Sequence, residues 1–147
     1  PYHYQAPELA WKSLRRATAD DFVQSPVTAI SEQAFSNVFS SIMQWPDDFK
    51  PLKKVEKIIQ EKIKLFNEEG KIDWATGELM AYGSLMLEGK DVRMSGQDVQ
   101  RGTFSHRHAV VKVEDSEEEY TPLTQVSEKQ APFEIYNSHL SEYGVLG

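Results

Sequence analysis

The spacing of hydrophobic and polar positions divides the chain into a weakly patterned start, a helical middle and a mixed second half. Residues 1–27 include Pro1, Pro7 and Pro26 and show no sustained period, which predicts an extended linker or arm. Beyond them, apolar residues recur every three or four positions, the spacing of an amphipathic helix. The pattern predicts a helical segment over residues 28–72, followed by a further helix that closes at Gly89.

Local signals place the ends of these helices. Ser31 is a candidate N-cap of the first helix, with Ile30 and Phe35 at the two staple positions around it. Gly70 is a C-terminal stop for the second helix. The six lysines between residues 50 and 64 are interpreted as the solvated face of that helix. The third helix, ATGELMAYGSLMLEG, contains small residues that allow close packing: Gly77, Ala81 and Gly83.

The second half of the chain favours short strands. VRMSGQD predicts a strand leading into a glycine-containing turn, HAVVKV a second extended segment, and FEIYNS a further strand. The acidic run at residues 114–119 predicts a solvated hairpin tip, because neighbouring like charges repel each other. SHLSEYGVLG predicts the start of a helix, with Ser138 or Ser141 near its cap. This order of elements predicts an α/β fold.

Composition then narrows the class of protein. A length of 147 residues suits one domain, and the net charge of −7 argues against a nucleic acid or an anionic membrane as the main partner. The absence of cysteine excludes disulfides, thiolate nucleophiles and zinc–thiolate sites within this sequence. No apolar run reaches the roughly 18 residues of a membrane span, and the start shows no signal-peptide pattern. Since the chain lacks an initiator methionine and VLG stops in mid-pattern, both ends are expected to be cut.

Two of the four histidines lie in one short stretch, GTFSHRHAV. In an extended segment alternate residues share a face, so His106 and His108 are expected to point to one side and Arg107 to the other. Zinc needs three or four ligands, and no third one stands at a ligand spacing nearby. A structural role at a sheet end and an active-site role in proton transfer or anion binding both remain open from the local sequence.

Glu142 is the other candidate, because it follows a predicted strand and falls in the first turn of a predicted helix. The helix dipole favours its anion there, whereas burial beside apolar neighbours would raise its pKa. A plain capping role is the ordinary interpretation of such a carboxylate. Gln97 and Asp98 after the first strand fit any turn and indicate no chemistry.

Several blocks of the sequence resemble a known family. DWATGEL, VRMSGQDVQRGTFSHRHAV, YTPL, QAPFEIYNS and LSEYGVLG are similar to the E1 component of the 2-oxoglutarate dehydrogenase complex, a thiamine-diphosphate-dependent decarboxylase. WKSLRRATADDF and the helices after it also resemble the stretch that precedes these blocks in that family. The resemblance implies that residues 73–147 begin a transketolase-like pyrimidine-binding domain of the α/β class with a mainly parallel sheet. Residues 1–27 and 28–72 would be the linker and the helical segment before it.

The resemblance also implies roles for individual residues. Glu142, in the LSE motif, would hydrogen-bond N1′ of the aminopyrimidine of thiamine diphosphate, and would share a proton at neutral pH. His108 first and His106 second would line the active centre and bind or protonate the substrate and its intermediate. The implied partners are 2-oxoglutarate, the lipoyl-bearing dihydrolipoyl succinyltransferase (E2) and a second E1 subunit. The implied compartment is the bacterial cytoplasm or the mitochondrial matrix.

The sequence also departs from the family pattern. It has no GDG followed downstream by an NN pair, the motif by which the family holds magnesium and the diphosphate. The chain is therefore expected to be a fragment without decarboxylase activity of its own. The alternative interpretations are a small, non-catalytic protein-interaction domain, which the contiguous GQDVQRGTFSHRH run disfavours, and a metal-binding module.

Overall fold

The computed structural model describes residues 12–113 and 116–139. Three α-helices come first: α1 (Glu32–Ile42), α2 (Lys53–Glu69) and α3 (Trp74–Leu87). Four short strands follow: β1 (Val92–Gly96), β2 (Val111–Lys112), β3 (Glu119–Tyr120) and β4 (Phe133–Asn137). Single 3-10 turns occupy Ala19–Phe22 and Pro122–Gln125. No helix in the described part of the chain has the length and apolar character to span a membrane.

The helix ends confirm the local sequence signals. The Ser31 hydroxyl accepts a hydrogen bond from the backbone N–H of Ala34 at 3.1 Å, which satisfies one of the free donors of the first turn of α1. Gly70 follows α2 with φ 63°, the left-handed conformation that glycine adopts at low cost. The carboxylate of Asp73 caps α3 by accepting from Thr76 N at 2.7 Å. Residues 12–30 are exposed, and the linker over residues 1–27 stays a prediction.

The strands form two separate two-stranded sheets. β1 and β4 run parallel, with Val92 opposite Phe133 and Gly96 opposite Asn137. β2 and β3 are antiparallel and form the predicted hairpin, at whose tip the acidic residues Glu114 and Asp115 lie outside the described part. The segment between β1 and β4 holds the hairpin and the second 3-10 turn, so β1 and β4 pair as a crossover rather than as neighbours in sequence. The predicted α/β arrangement is confirmed.

The hydrophobic core lies between the helices and the two sheets. Val38 and Met86 are fully buried where α1 meets α3, and Phe133 and Ile135 pack onto the same cluster from β4. A second contact joins α1 to α2 through Phe39 and Phe66, whose ring centroids are 4.5 Å apart. The helices therefore share one core with β4, a strand of the sheet that carries the candidate chemistry.

One of the six lysines departs from the prediction of a solvated face. Lys62 is only 9% exposed, and its Nζ donates to both carboxylate oxygens of Asp73, at 3.0 and 2.9 Å, and to the Thr76 hydroxyl at 3.2 Å. The prediction was wrong at this position, because Lys62 lies on the inner side of α2, where its ammonium group contacts Asp73, the cap of α3. This contact ties α2 to α3 across the predicted boundary at residues 72 and 73. That boundary itself stays a prediction.

Gly83 marks the closest approach of α3 to α1. A Cβ at this position would lie 2.3 Å from Cγ1 of Val38, a stiff β-branched side chain with 0% exposure. We expect Gly83→Ala to destabilise the protein, since overpacking costs about 1–3 kcal/mol and the gain of roughly 1 kcal/mol in helix propensity offsets only part of it. Thermal melts provide the measurement.

Gly77→Ala on the same helix is the matched control. There a Cβ would meet only Ile72 Cδ1 at 3.8 Å, which is ordinary van der Waals contact, so this variant should melt at or above the wild-type temperature. Adding Val38→Ala to Gly83→Ala should recover part of the loss that is due to crowding. Equal melting temperatures for the two alanine variants would contradict the close-packing explanation.

Candidate active site

Two of the polar residues discussed in the sequence, Asp98 and His108, lie at one edge of the β1–β4 sheet. Because these strands are parallel, Gly96 and Asn137 end them at the same edge, and ligands of open α/β sheets bind outside the carboxyl ends of the strands. The backbone N–H of Ser138 donates to Gly96 O at 2.8 Å, so the chain beyond β4 also leaves from this edge. The loop after β1 holds both histidines of the GTFSHRHAV stretch.

Gln100 and Asn137 hold that loop against the end of β4. Asn137 Nδ2 donates to Gln100 Oε1 at 2.8 Å, and Gln100 N donates back to Asn137 Oδ1 at 3.2 Å. The side-chain Nε2 of Gln100 also donates to Ile135 O at 3.3 Å. These contacts fix the start of the loop on the sheet. The sequence analysis did not find them, because the two residues are far apart in the chain and either amide alone suits an ordinary turn.

The FSHRH segment is not extended, which corrects the prediction that His106 and His108 share a face. Ser105 and His108 have φ angles of 54° and 47°, in the left-handed region that residues other than glycine seldom adopt. Backbone N–H groups of Arg107 and His108 both donate to Arg101 O, at 2.9 and 3.1 Å, so the loop curls back on itself. The strand begins only at Val111. Alternation along a strand therefore does not apply to this segment.

His108 is buried, with 7% of its surface exposed. Its Nε2 lies 3.0 Å from Ser105 O, and since a carbonyl only accepts, Nε2 carries the hydrogen and Nδ1 of the neutral ring is left as the proton acceptor. Burial lowers the pKa of His108, and the positive charges of Lys62, Arg101 and Lys54 lower it further, although the bond to Ser105 opposes them. The imidazole is therefore neutral at pH 7.

His108 borders a cleft of about 190 Å³ at the carboxyl edge of the sheet. Its apolar lining comes from Leu52, Val55 and Val110, and its polar lining includes Asp98, Gln100, Arg101 and Asn137. Such a lining, with apolar faces and several hydrogen-bonding groups, is typical of a small-molecule site. Asp98 is paired with Arg101 across the turn, and this pairing lowers the pKa of the carboxyl.

His106 lies in a different place from His108. It lines an open groove beside the first turn of α3, together with Trp74, Gly77 and Glu78, and does not border the His108 cleft. Its ring packs against Gly102, where a Cβ would lie 2.4 Å from the ring. The Nδ1 of His106 is buried and, among the described residues, has no hydrogen-bond partner. The loop thus presents its two imidazoles to two separate surfaces.

Arg107, between the histidines, pairs with Glu78 on α3. Its Nε and Nη2 engage the two carboxylate oxygens, the latter at 3.2 Å, and Nη1 donates to Val99 O at 2.7 Å. This bond lowers the pKa of Glu78. The sequence did not indicate this pair, because the two residues are 29 positions apart in the chain and no spacing rule connects them.

Glu142 lies outside the described residues, so its place relative to the histidines stays a prediction. Among residues 12–113 and 116–139, no group of three or more histidine, aspartate or glutamate side chains is arranged to hold a metal ion. Within these residues, the cleft beside His108 therefore presents apolar and hydrogen-bonding side chains but no set of metal ligands.

Comparison with protein families identifies the class. Residues 70–147 match the transketolase pyrimidine-binding domain family. The match includes α3, the paired strands β1 and β4, and the loop with both histidines, so the fold and the candidate site lie within one family domain. The chain belongs to this family.

Individual relatives specify the resemblance further. The chain is 40% identical over 140 residues to the mitochondrial 2-oxoglutarate dehydrogenase of Saccharomyces cerevisiae, a match that covers 94% of this chain and 14% of the yeast protein. It is 42% identical over 120 residues to the 2-oxoglutarate dehydrogenase E1 component of Oceanobacillus iheyensis, covering 82% of this chain and 13% of that protein. The E1 component of Staphylococcus aureus is 42% identical over 122 residues. The chain thus spans about one-seventh of the length of these relatives, and the predicted resemblance is confirmed.

Proposed function

We propose that this chain is part of a 2-oxoglutarate dehydrogenase E1, which decarboxylates 2-oxoglutarate with thiamine diphosphate and passes the succinyl group to a lipoyl arm of E2 in the tricarboxylic acid cycle. The observation that carries the proposal is the buried, neutral His108 at the carboxyl edge of a transketolase-type sheet, in a loop that belongs to the region of family similarity. The fragment on its own is expected to be inactive, since it spans about 14% of its yeast relative.

Thiamine diphosphate would be bound partly by this chain and partly by the rest of the enzyme. The lining of the His108 cleft suits the aminopyrimidine ring, and Glu142 is proposed to share a proton with that ring from the segment that follows Ser138. Thiamine diphosphate, when bound, supplies the electron sink for decarboxylation. Magnesium and the diphosphate would be held outside this chain, in agreement with the missing GDG and NN motifs.

The chain's own contribution is to exclude water and to manage protons. Leu52, Val55 and Val110 give the cleft an apolar wall, beside which the polar contacts of a bound ring would be less screened by water. Nδ1 of His108 is the atom proposed to accept or return a proton at the substrate, and Ser105 O holds the ring in the tautomer that frees this atom. His106, in the neighbouring groove, is proposed as a second and lesser contributor.

The partners and the cellular compartment are proposed on the same grounds as the activity. Substrate 2-oxoglutarate, the E2 component and a second E1 subunit are proposed partners. The relatives include a mitochondrial yeast enzyme and bacterial enzymes, so the mitochondrial matrix and the bacterial cytoplasm are the proposed locations.

An assay of the full-length protein tests the function without E2. We expect carbon dioxide release from 2-oxoglutarate, coupled to reduction of ferricyanide, only when thiamine diphosphate and magnesium are present. Pyruvate lacks the distal carboxylate, so its turnover should be at least about tenfold slower. A tenfold difference in rate corresponds to about 1.4 kcal/mol in transition-state binding. A protein that folds and binds the cofactor but releases no carbon dioxide would favour the interaction-domain alternative.

A further inference from the structure

We propose that Arg107 is a positioning residue for the reaction: its ion pair with Glu78 holds the loop in the orientation that presents His108 to the cleft. This inference rests on the proposed function and extends it to two residues that touch neither the cleft nor, in the proposal, the substrate.

The first support is the number and geometry of the contacts that Arg107 makes. Its guanidinium uses Nε and Nη2 on the carboxylate of Glu78 and Nη1 on the carbonyl of Val99. The side chains are 14% and 31% exposed, so the pair is partly withdrawn from solvent and weakly screened. A planar fork can make this set of bonds at once, whereas the point charge of a lysine cannot. Arg107 therefore joins α3, the turn after β1 and the histidine loop.

The second support is the position of Arg107 in the chain. It directly precedes His108, whose backbone is held in the left-handed region at φ 47°. The peptide N–H groups of both residues share Arg101 O as acceptor, and Ala109 N donates to Gln100 O at 2.8 Å. With the backbone closed on one side and the guanidinium fixed on the other, the Cα of His108 has little freedom. An unfavourable backbone conformation persists only where the surroundings impose it, and the Arg107 pair is part of what imposes it.

The third support is that the pair connects the surroundings of the two imidazoles. Glu78 lies in the groove that His106 lines, whereas His108 borders the cleft at the end of the sheet. Glu78 thus borders the His106 groove, whereas Arg107 borders a small internal space together with His108, so the pair links the surroundings of the two imidazoles. Loss of the pair would let the loop rotate, moving His108 out of the cleft. Displacements of about 1 Å in a catalytic group can lower a rate about 100-fold.

The test uses the full-length enzyme with Arg107→Lys, Arg107→Gln, Glu78→Gln and the double variant Arg107→Gln/Glu78→Gln. Each single change should lower kcat at least about tenfold, with KM within about threefold. The melting temperature should also fall, because each change leaves a half-buried charge without its partner, so kcat is measured well below the melting transition. Because both changes break one contact, the loss in the double variant should be close to that of a single variant rather than the product of two. Arg93→Lys is the matched control, since the Arg93–Glu134 pair is exposed and joins β1 to β4 away from the loop; its kcat should be unchanged.

The pH profile separates positioning from a merely structural role. A loosened loop lets water reach His108, so the acid limb of kcat should move to higher pH in the single variants. The other charged groups near the imidazole are not altered by these substitutions: Lys54 and Lys62 from α2, Asp98 and Arg101 from the loop, and Lys112 from β2.

Several outcomes would overturn the inference. Wild-type kcat and pH profile in the folded single variants would do so, as would multiplicative losses in the double variant. Unfolding of all the variants would show that the pair serves stability alone. A wild-type enzyme without activity on 2-oxoglutarate would instead overturn the proposed function, and this inference with it, whereas an active wild type with active variants overturns the inference alone.

Discussion

Glu142→Ala in the full-length enzyme is expected to abolish cofactor-dependent decarboxylation of 2-oxoglutarate, with kcat reduced at least about 100-fold. Groups that transfer a proton in the transition state contribute about 10²–10⁴-fold, and the resemblance assigns Glu142 the carboxyl that shares a proton with the aminopyrimidine. Carbon dioxide release under saturating thiamine diphosphate measures the effect. Glu142→Gln, which keeps the size and loses the acid, should be similarly impaired.

The control for this experiment is Glu134→Gln on β4. Glu134 is exposed and pairs with Arg93, so its loss should leave kcat unchanged. Decarboxylation by Glu142→Ala within about threefold of the wild type would return Glu142 to the role of an ordinary helix-capping carboxylate.

His108→Asn is expected to lower turnover about 100-fold or more while the enzyme keeps its melting temperature within a few degrees. Asparagine is the sharper choice over alanine, because His108 stands at φ 47° and asparagine tolerates the left-handed region, whereas alanine adds a backbone cost. His108→Ala should likewise lose more turnover than stability. Steady-state kinetics beside thermal melts separate the two quantities.

The pH dependence gives this prediction a second readout. Burial holds the pKa of His108 below its ordinary value of about 6.5, so the ring is neutral at pH 7 and Nδ1 can accept a proton. As the pH falls through that lowered pKa, Nδ1 becomes protonated and wild-type kcat should decline. His108→Asn should remove this acid limb.

His106→Asn is the comparison variant, and we expect a smaller loss because His106 borders the groove beside α3 and not the cleft. A folded His108→Asn enzyme that turns over within about threefold of the wild type would contradict the assignment. A loss of melting temperature with unchanged specific activity would give His108 a structural role instead.

The helices were accessible to sequence reasoning because their signals are local. Ser31, Gly70 and the recurrence of apolar residues act within one or two turns of the chain, and the structure confirms the helix positions within a few residues. The short strands around Met94 and Ile135 were also predicted, since brief runs of apolar and β-branched residues between turns are themselves a local signal. Their parallel pairing was implied by the family resemblance, and the structure confirms it.

The prediction failed where distant residues decide the conformation. The local sequence of FSHRH predicts part of an extended segment. In the structure Arg101 O accepts hydrogen bonds from two of its N–H groups, and its arginine pairs with Glu78, so the segment forms a curled loop. The local sequence predicts that Lys62 is solvated like its neighbours, but in the structure it pairs with the carboxylate of Asp73, the cap of α3. Glu78 is 29 residues from Arg107 and Asp73 is 11 residues from Lys62, and Arg101 acts through its backbone carbonyl, so no side-chain periodicity indicates these contacts.

The sequence by itself determined the class of the protein and the residue types available for its chemistry, because helix caps, apolar periods and the long GQDVQRGTFSHRH block are read without knowing what lies nearby in space. Only the tertiary structure decided that His106 and His108 face different surfaces, that His108 is buried and neutral, and that Arg107 is tied to Glu78. The physical reason is that side-chain direction, desolvation and ion pairing depend on contacts between segments far apart in the chain, and these exist only once the helices have packed on the sheet.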